Sequence, residues 1–166
     1  VRAIKPYLPD NINPAGGINS CAEDMAKWML LLLNKGKLSD GSQLISEKVM
    51  NEITSMQTPI PISKPASELA AAVMNFNGYG LGVRLRDFRR HQVVTHTGGL
   101  AGYVSQVWLM PEIGLGITIL TNQESGEAYQ SLTYDIADYY IKAPAVDWGG
   151  AISKDREISR QRTEDE

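Results

Sequence analysis

Apolar residues between positions 20 and 36 fall on one helical face: Met25, Trp28, Met29 and Leu32 recur at steps of three and four. The spacing predicts a helix over about 21–34, with Trp28 and the neighbouring methionines in the core. Ser20-Cys21-Ala22-Glu23 reads as a capping box, and Gly36 supplies the left-handed residue that closes a helix. Upstream, "PYLPDNINPAGGINS" reads as a loop. "SEKVMNEITS" predicts a shorter helix capped by Ser46, with Val49, Met50 and Ile53 on one face. The three prolines of "TPIPISKP" exclude helix and central strand and predict a surface connection.

From Gly78 the period changes to two. "YGLGVRLRD" pairs with "QVVTH" across the charged turn "FRRH", and "YVSQVWLM" pairs with "LGITILTN" across "PEIG", which predicts an antiparallel meander. After Gly126, Ala128, Leu132, Ile136 and Tyr140 predict a helix lying across one sheet face. The fold class is α+β, an antiparallel sheet meander packed with helices. Residues 1–142 form the domain, and 143–166, ending in "SKDREISRQRTEDE" with a single apolar residue, read as a charged tail, flexible or marginally helical.

Composition narrows the function classes. With 166 residues, 43% hydrophobic and 21% charged, the chain has the balance of one soluble domain with a core of its own. A net charge of -3 without a dominant basic run excludes a nucleic-acid footprint. The single cysteine, Cys21, excludes an internal disulfide and a multi-cysteine metal cluster; it is a dipole-activated thiol or, more commonly for such a residue, a small buried filler. No apolar run reaches the roughly 20 residues that span a bilayer.

The chemistry-bearing motifs are few. G-x-S-x-G, C-x-x-C, H-E-x-x-H and the P-loop pattern are all absent from the sequence. The two histidines, His91 and His96, lie five apart on strand-like chain, so period two sends them to opposite faces and no metal site or cofactor is expected. His91 falls in a charged turn and reads as solvated. "GYGLG" has the wrong spacing for a phosphate loop and reads as strand glycines. What remains is His96-Thr97-Gly98-Gly99, a histidine ending a strand just where small residues leave backbone N–H groups open. Gly98 and Gly99 admit close approach to the backbone, or form a bulge that re-aims its donors. Tyr103 is either a cleft-wall aromatic or a cross-strand packing residue.

"NPAGGINSCAEDMAKWMLLLLNKGKL", "GYGLGV" and "HTGGLAGYVSQVWLMPEIGLGITILTN", taken in order, resemble the serine β-lactamase and penicillin-binding-protein superfamily in its class C-like, peptidase and esterase branch, from about Pro14 to Ile141. The family uses Ser-x-x-Lys for the nucleophile and its base, Tyr-x-Asn as a second element and Lys-Thr-Gly as a third. His96-Thr97-Gly98 stands at the third, with histidine in place of lysine. The resemblance implies that His96 and Gly99 serve catalysis, Gly99 N–H as one of two oxyanion donors, and that Thr97, Gly98 and Tyr103 contact substrate. An imidazole, with an ordinary pKa of roughly 6.5, is a weaker fixed charge than lysine. That points to esters, amides or D-amino-acid peptides rather than penicillins.

The departures are as specific as the match. No serine here is followed three residues later by lysine, and no tyrosine is followed two residues later by asparagine. The resemblance therefore implies the C-terminal portion of a serine hydrolase, inactive alone, with a small-molecule or peptide substrate and the missing N-terminal half as partners. It places the strand 115–121 beside an N-terminal strand, so self-association through 115–121 is also expected. The other class is a non-catalytic module binding a peptide or cell-wall fragment. Family members are commonly exported in bacteria, which makes an extracytoplasmic setting the expectation from resemblance.

Overall fold

A computed structural model describes residues 10–100 and 102–164. Two short helical turns, Asp10–Ile12 and α1 (Asn13–Gly16), stand where a loop was expected. The first long helix is α2 (Ala22–Leu33), followed by α3 (Glu47–Ile53). Among the described residues six strands form one sheet in chain order: β1 (Thr58–Pro59), β2 (Asn77–Tyr79), β3 (Arg84–Phe88), β4 (His91–Leu100), β5 (Tyr103–Met110) and β6 (Leu115–Thr121). Every neighbouring pair is antiparallel. Helices α4 (Gly126–Ile141) and α5 (Trp148–Glu164) complete the α+β architecture.

Helix α2 starts without the expected capping box. Cys21 is the N-cap and makes no side-chain capping bond, while the Ser20 hydroxyl turns to the Cys21 carbonyl. Closure at Gly36 follows the sequence: its φ is +84°, its N–H donates to Leu31 O at 2.8 Å, and a Cβ there would collide with the Ile45 carbonyl. Ser46 caps α3 by accepting from Val49 N–H at 3.3 Å. Pro59 sits in the outermost strand, where its missing N–H costs no ladder bond.

The segment "YGLGVRLRD" is two strands rather than one. Gly80 N–H bonds back to Val83 O at 2.8 Å and Gly82 takes φ +79°, so the chain folds tightly between β2 and β3. Those glycines serve a turn that a strand-period reading does not reveal. The "FRRH" turn places both Arg89 (φ 47°) and Arg90 (φ 69°) in left-handed backbone, the geometry a two-residue hairpin turn demands.

Two cores sandwich the sheet. On one face α2 contributes Met29 to a cluster with Leu85, Val94 and Leu109. On the other, Phe88, Val93, Trp108 and Ile117 pack with Tyr134 and Ala137 of α4 and with Trp148 and Ile152 of α5. The Phe88 and Tyr134 rings stack at 4.6 Å, and Tyr134 meets Trp148 edge-on at 4.8 Å. Helix α4 exists as expected, but its buried face carries Thr133, Tyr134, Ala137 and Asp138, while Leu132 and Tyr140 are exposed. Trp28, expected in the core, is 45% exposed, and Cys21, read as a buried filler, is exposed as well. The segment 143–166, read as a flexible or marginally helical tail, instead forms α5 over 148–164, and its first turn is anchored in the core because Trp148 is fully buried. Between Ser153 and Gln161 its charged residues are largely exposed.

Candidate active site

Strand β4 is ten residues long and β3 only five, and the mismatch creates the site. Pairing between them ends at Arg84 opposite Thr95, whereas β4 continues to pair with β5 from Val94 as far as Leu100. Among the described residues, 96–100 therefore have a strand partner on one side only, and all five are exposed. The inner half of the same strand, Val93 to Thr95, is buried and fixes the outer half in place. An extended ligand lying along such an open edge meets unpaired backbone N–H and C=O groups.

His96 is the first residue beyond the last β3 pair. Its Nε2 lies 2.8 Å from the hydroxyl of Tyr79 at the end of β2, and the two rings meet edge-on with centroids 6.1 Å apart. Strand alternation sets His96 and Gly98 on one face and Thr97 and Gly99 on the other, so the edge is where one ligand can reach all four. The ladder from Val94 opposite Leu109 to Leu100 opposite Tyr103 is unbroken, so the two glycines form no bulge. At Gly98 a Cβ would fall 2.5 Å from the Ser105 hydroxyl of its cross-strand partner. At Gly99 no atom of the described residues lies within 4 Å of where a Cβ would stand, so among them the space beside that backbone is open.

Tyr103 is 50% exposed and shares the His96 face through its partner Leu100, four residues and about 13 Å along the strand from His96. It belongs to β5, on the paired side of β4, and does not touch His96. His91 is not simply solvated: its Nδ1 lies 3.0 Å from a Glu112 carboxylate oxygen, and it opens β4, five residues before His96. The structure thus separates the two histidines, and among the described residues no group of three His, Cys, Asp or Glu is placed to hold a metal ion.

Tyr79 is the site residue the sequence left unmarked. Its position within "GYGLG" was visible, but its contact with His96 depends on the turn at Gly80–Gly82 and on two strand pairings. At the other end of β2, the buried Asp87 carboxylate accepts from Asn75 N–H and Asn75 Nδ2 at 2.6 Å each, and from Phe76 N–H at 3.1 Å. Burial pushes that carboxyl up, and the hydrogen bonds from Asn75 and Phe76 more than offset it, leaving its pKa below the usual value. The loop entering β2 is pinned in this way.

What the geometry defines is an open strand edge, with an exposed histidine at its start, on an antiparallel sheet packed with helices on both faces. The profile of the Beta-lactamase family matches residues 1–141, and the chain belongs to that family. It is 27% identical over 146 residues to Unguisins hydrolase ungD of Aspergillus violaceofuscus, a match that takes in 82% of this chain and 25% of that protein. The fold matches the octameric penicillin-binding protein homologue from Pyrococcus abyssi with a TM-score of 0.60 at 18% identity, covering 75% of this chain and 25% of that one. The chain thus spans about a quarter of the length of the relatives it matches.

Proposed function

We propose that this chain carries the third catalytic element, His96-Thr97-Gly98, of a serine hydrolase of the penicillin-recognising type. The observation that carries the reading is the outrun of β3 by β4, which leaves the His-Thr-Gly-Gly run exposed along an unpaired strand edge. On this reading the Gly99 N–H donates to the developing oxyanion, a contribution of about 3 to 4 kcal/mol for one such donor, and His96 grips an acceptor oxygen of the substrate. An imidazole in place of a lysine is a weaker fixed charge for gripping a carboxylate, which favours esters, amides or D-amino-acid peptides over penicillins. The named activity of the fungal relative, a hydrolase, supports hydrolysis as the reaction class.

The nucleophile must come from outside these residues, since no Ser-x-x-Lys occurs among them. We expect the 166-residue chain alone to show no turnover of chromogenic esters or β-lactams. The decisive experiment treats the full-length protein with an acylating phosphonate and reads intact mass: a serine adduct supports the hydrolase. A protein that binds peptides yet takes no adduct is a binding module of the same fold, and the hydrolase reading falls.

A further inference from the structure

From the contact between Tyr79 and His96 we infer that Tyr79 is a positioning residue, one that holds neutral His96 with its proton on Nδ1 and so leaves Nδ1–H as the ring's donor for a ligand. The inference rests on the hydrolase reading for its functional meaning and on geometry alone for its chemistry. Nε2 and the phenolic oxygen are 2.8 Å apart, a full hydrogen bond, and no other partner of the His96 ring is present among the described residues.

The direction of that bond decides which nitrogen carries the proton. A phenol is a good donor and a poor acceptor, because its oxygen lone pair is delocalised into the ring, while an unprotonated imidazole nitrogen is a strong acceptor. Tyr79 therefore donates to Nε2, and the remaining proton of neutral His96 must sit on Nδ1. A free histidine side chain has a modest bias toward the opposite tautomer, small enough for one hydrogen bond to reverse. When His96 is protonated, the hydroxyl rotates and accepts from Nε2–H, so the ring keeps its orientation in both charge states. In either state Nδ1 bears a hydrogen for a carboxylate or carbonyl oxygen of the ligand, which is the service a lysine at this position would give without any tautomer to control.

The geometry supports such control. Tyr79 is half-buried, and its strand is tied to β3 at three register positions, with Gly80 folding the chain back at once behind it. Its hydroxyl is thus delivered by backbone fixed on both sides rather than by a free side chain.

The test is histidine-selective 15N labelling of the 166-residue chain, read by magic-angle-spinning NMR in alkaline buffer where imidazole is neutral; self-association does no harm to that measurement. His91→Gln removes the other histidine signal, and with it any ambiguity of assignment. We expect His96 to be mainly Nδ1–H, and Tyr79→Phe to move the ratio toward Nε2–H by roughly two- to ten-fold, the range one net hydrogen bond gives. A majority of Nε2–H in the unsubstituted chain overturns the inference without recourse to any variant. So does an unchanged ratio in a Tyr79→Phe chain whose remaining spectrum is native. Absence of a phosphonate adduct in the full-length protein would remove the hydrolase reading and leave the tautomer result standing, so the two failures are distinguishable.

Discussion

Arg89, in the turn between β3 and β4, reaches Asp138 near the end of α4 with two donors, Nε at 2.6 Å and a terminal nitrogen at 2.8 Å. The same carboxylate accepts from Trp148 Nε1 at 2.8 Å, and the guanidinium lies over the Trp148 ring at 5.6 Å. One buried acid thus ties the hairpin that begins β4 to both C-terminal helices. Arg89→Ala would leave Asp138, 5% exposed, without its counter-charge, and is expected to destabilise the fold by about 3 kcal/mol. Urea unfolding of the variant measures it; a loss under 1 kcal/mol would show that water replaces the arginine.

The neighbouring position gives the opposite sign. Arg90 is exposed, has φ 69°, and occupies left-handed backbone that costs an ordinary residue roughly 1 kcal/mol. Arg90→Gly should raise stability by up to about 1 kcal/mol, visible as a higher Tm in the same scan. A lower Tm would mean that the gain in unfolded-chain entropy outweighs the relieved strain.

Acid and alkali should loosen α5 for different reasons. Glu68 is held down to about 2 chiefly by its bond to Lys154, with help from Ser67, and Lys154 is raised in turn by Glu68. A depressed carboxylate stabilises above its unfolded pKa, and that contribution drains away as pH falls through the folded value near 2. A raised lysine stabilises below its unfolded pKa and loses the contribution as pH rises through the folded one. Asp87, depressed by its Asn75 and Phe76 bonds against the cost of burial, adds to the acid limb. Amide exchange across α5 between neutral and acidic pH reports the change, and Lys154→Met should flatten the part due to the ion pair.

In the full-length protein, His96→Ala should lower kcat/KM by more than about ten-fold with the fold intact, because the side chain is exposed on the open edge. His91→Ala removes only a surface contact to Glu112 and should leave turnover within about two-fold. Parallel kinetics and melting curves separate the cases; equal losses from both variants would sink the site.

The last expectation concerns β6, which among the described residues ends the sheet with one side unpaired. Ile117 is buried in the core at 5% exposure, so the residue that makes this edge adhesive is Leu120, 42% exposed. Light scattering should find the isolated chain self-associated, and Leu120→Lys should reduce its mean mass. A monodisperse monomer would rule out the edge as a pairing surface under those conditions.

Local chemistry wrote much of this molecule directly into the sequence. Periodicity located α2, α3, α4 and the long strands, Ser46 and Gly36 marked true helix ends, and the His-Thr-Gly-Gly run marked the stretch that lies along the open strand edge, because each depends on residues within a turn or two of one another. The buried face of α4 was illegible, since Leu132 and Tyr134 are both large and apolar in part, and only the aromatic cluster of Phe88, Trp108 and Trp148 selects Tyr134 for the interior. Helix α5 was hidden for a related reason: its polar stretch forecasts solvation, and a single tryptophan ten residues beyond Asp138 anchors it through a bond no local pattern encodes. The site divides the same way. Sequence supplied His96 and its glycines, but the open edge exists because β3 stops at Arg84, and Tyr79 reaches the imidazole because a glycine turn and two strand registers carry it there. Pairing register and relative strand length are properties of the assembled sheet, decided by which faces can be buried together, and no single strand contains them.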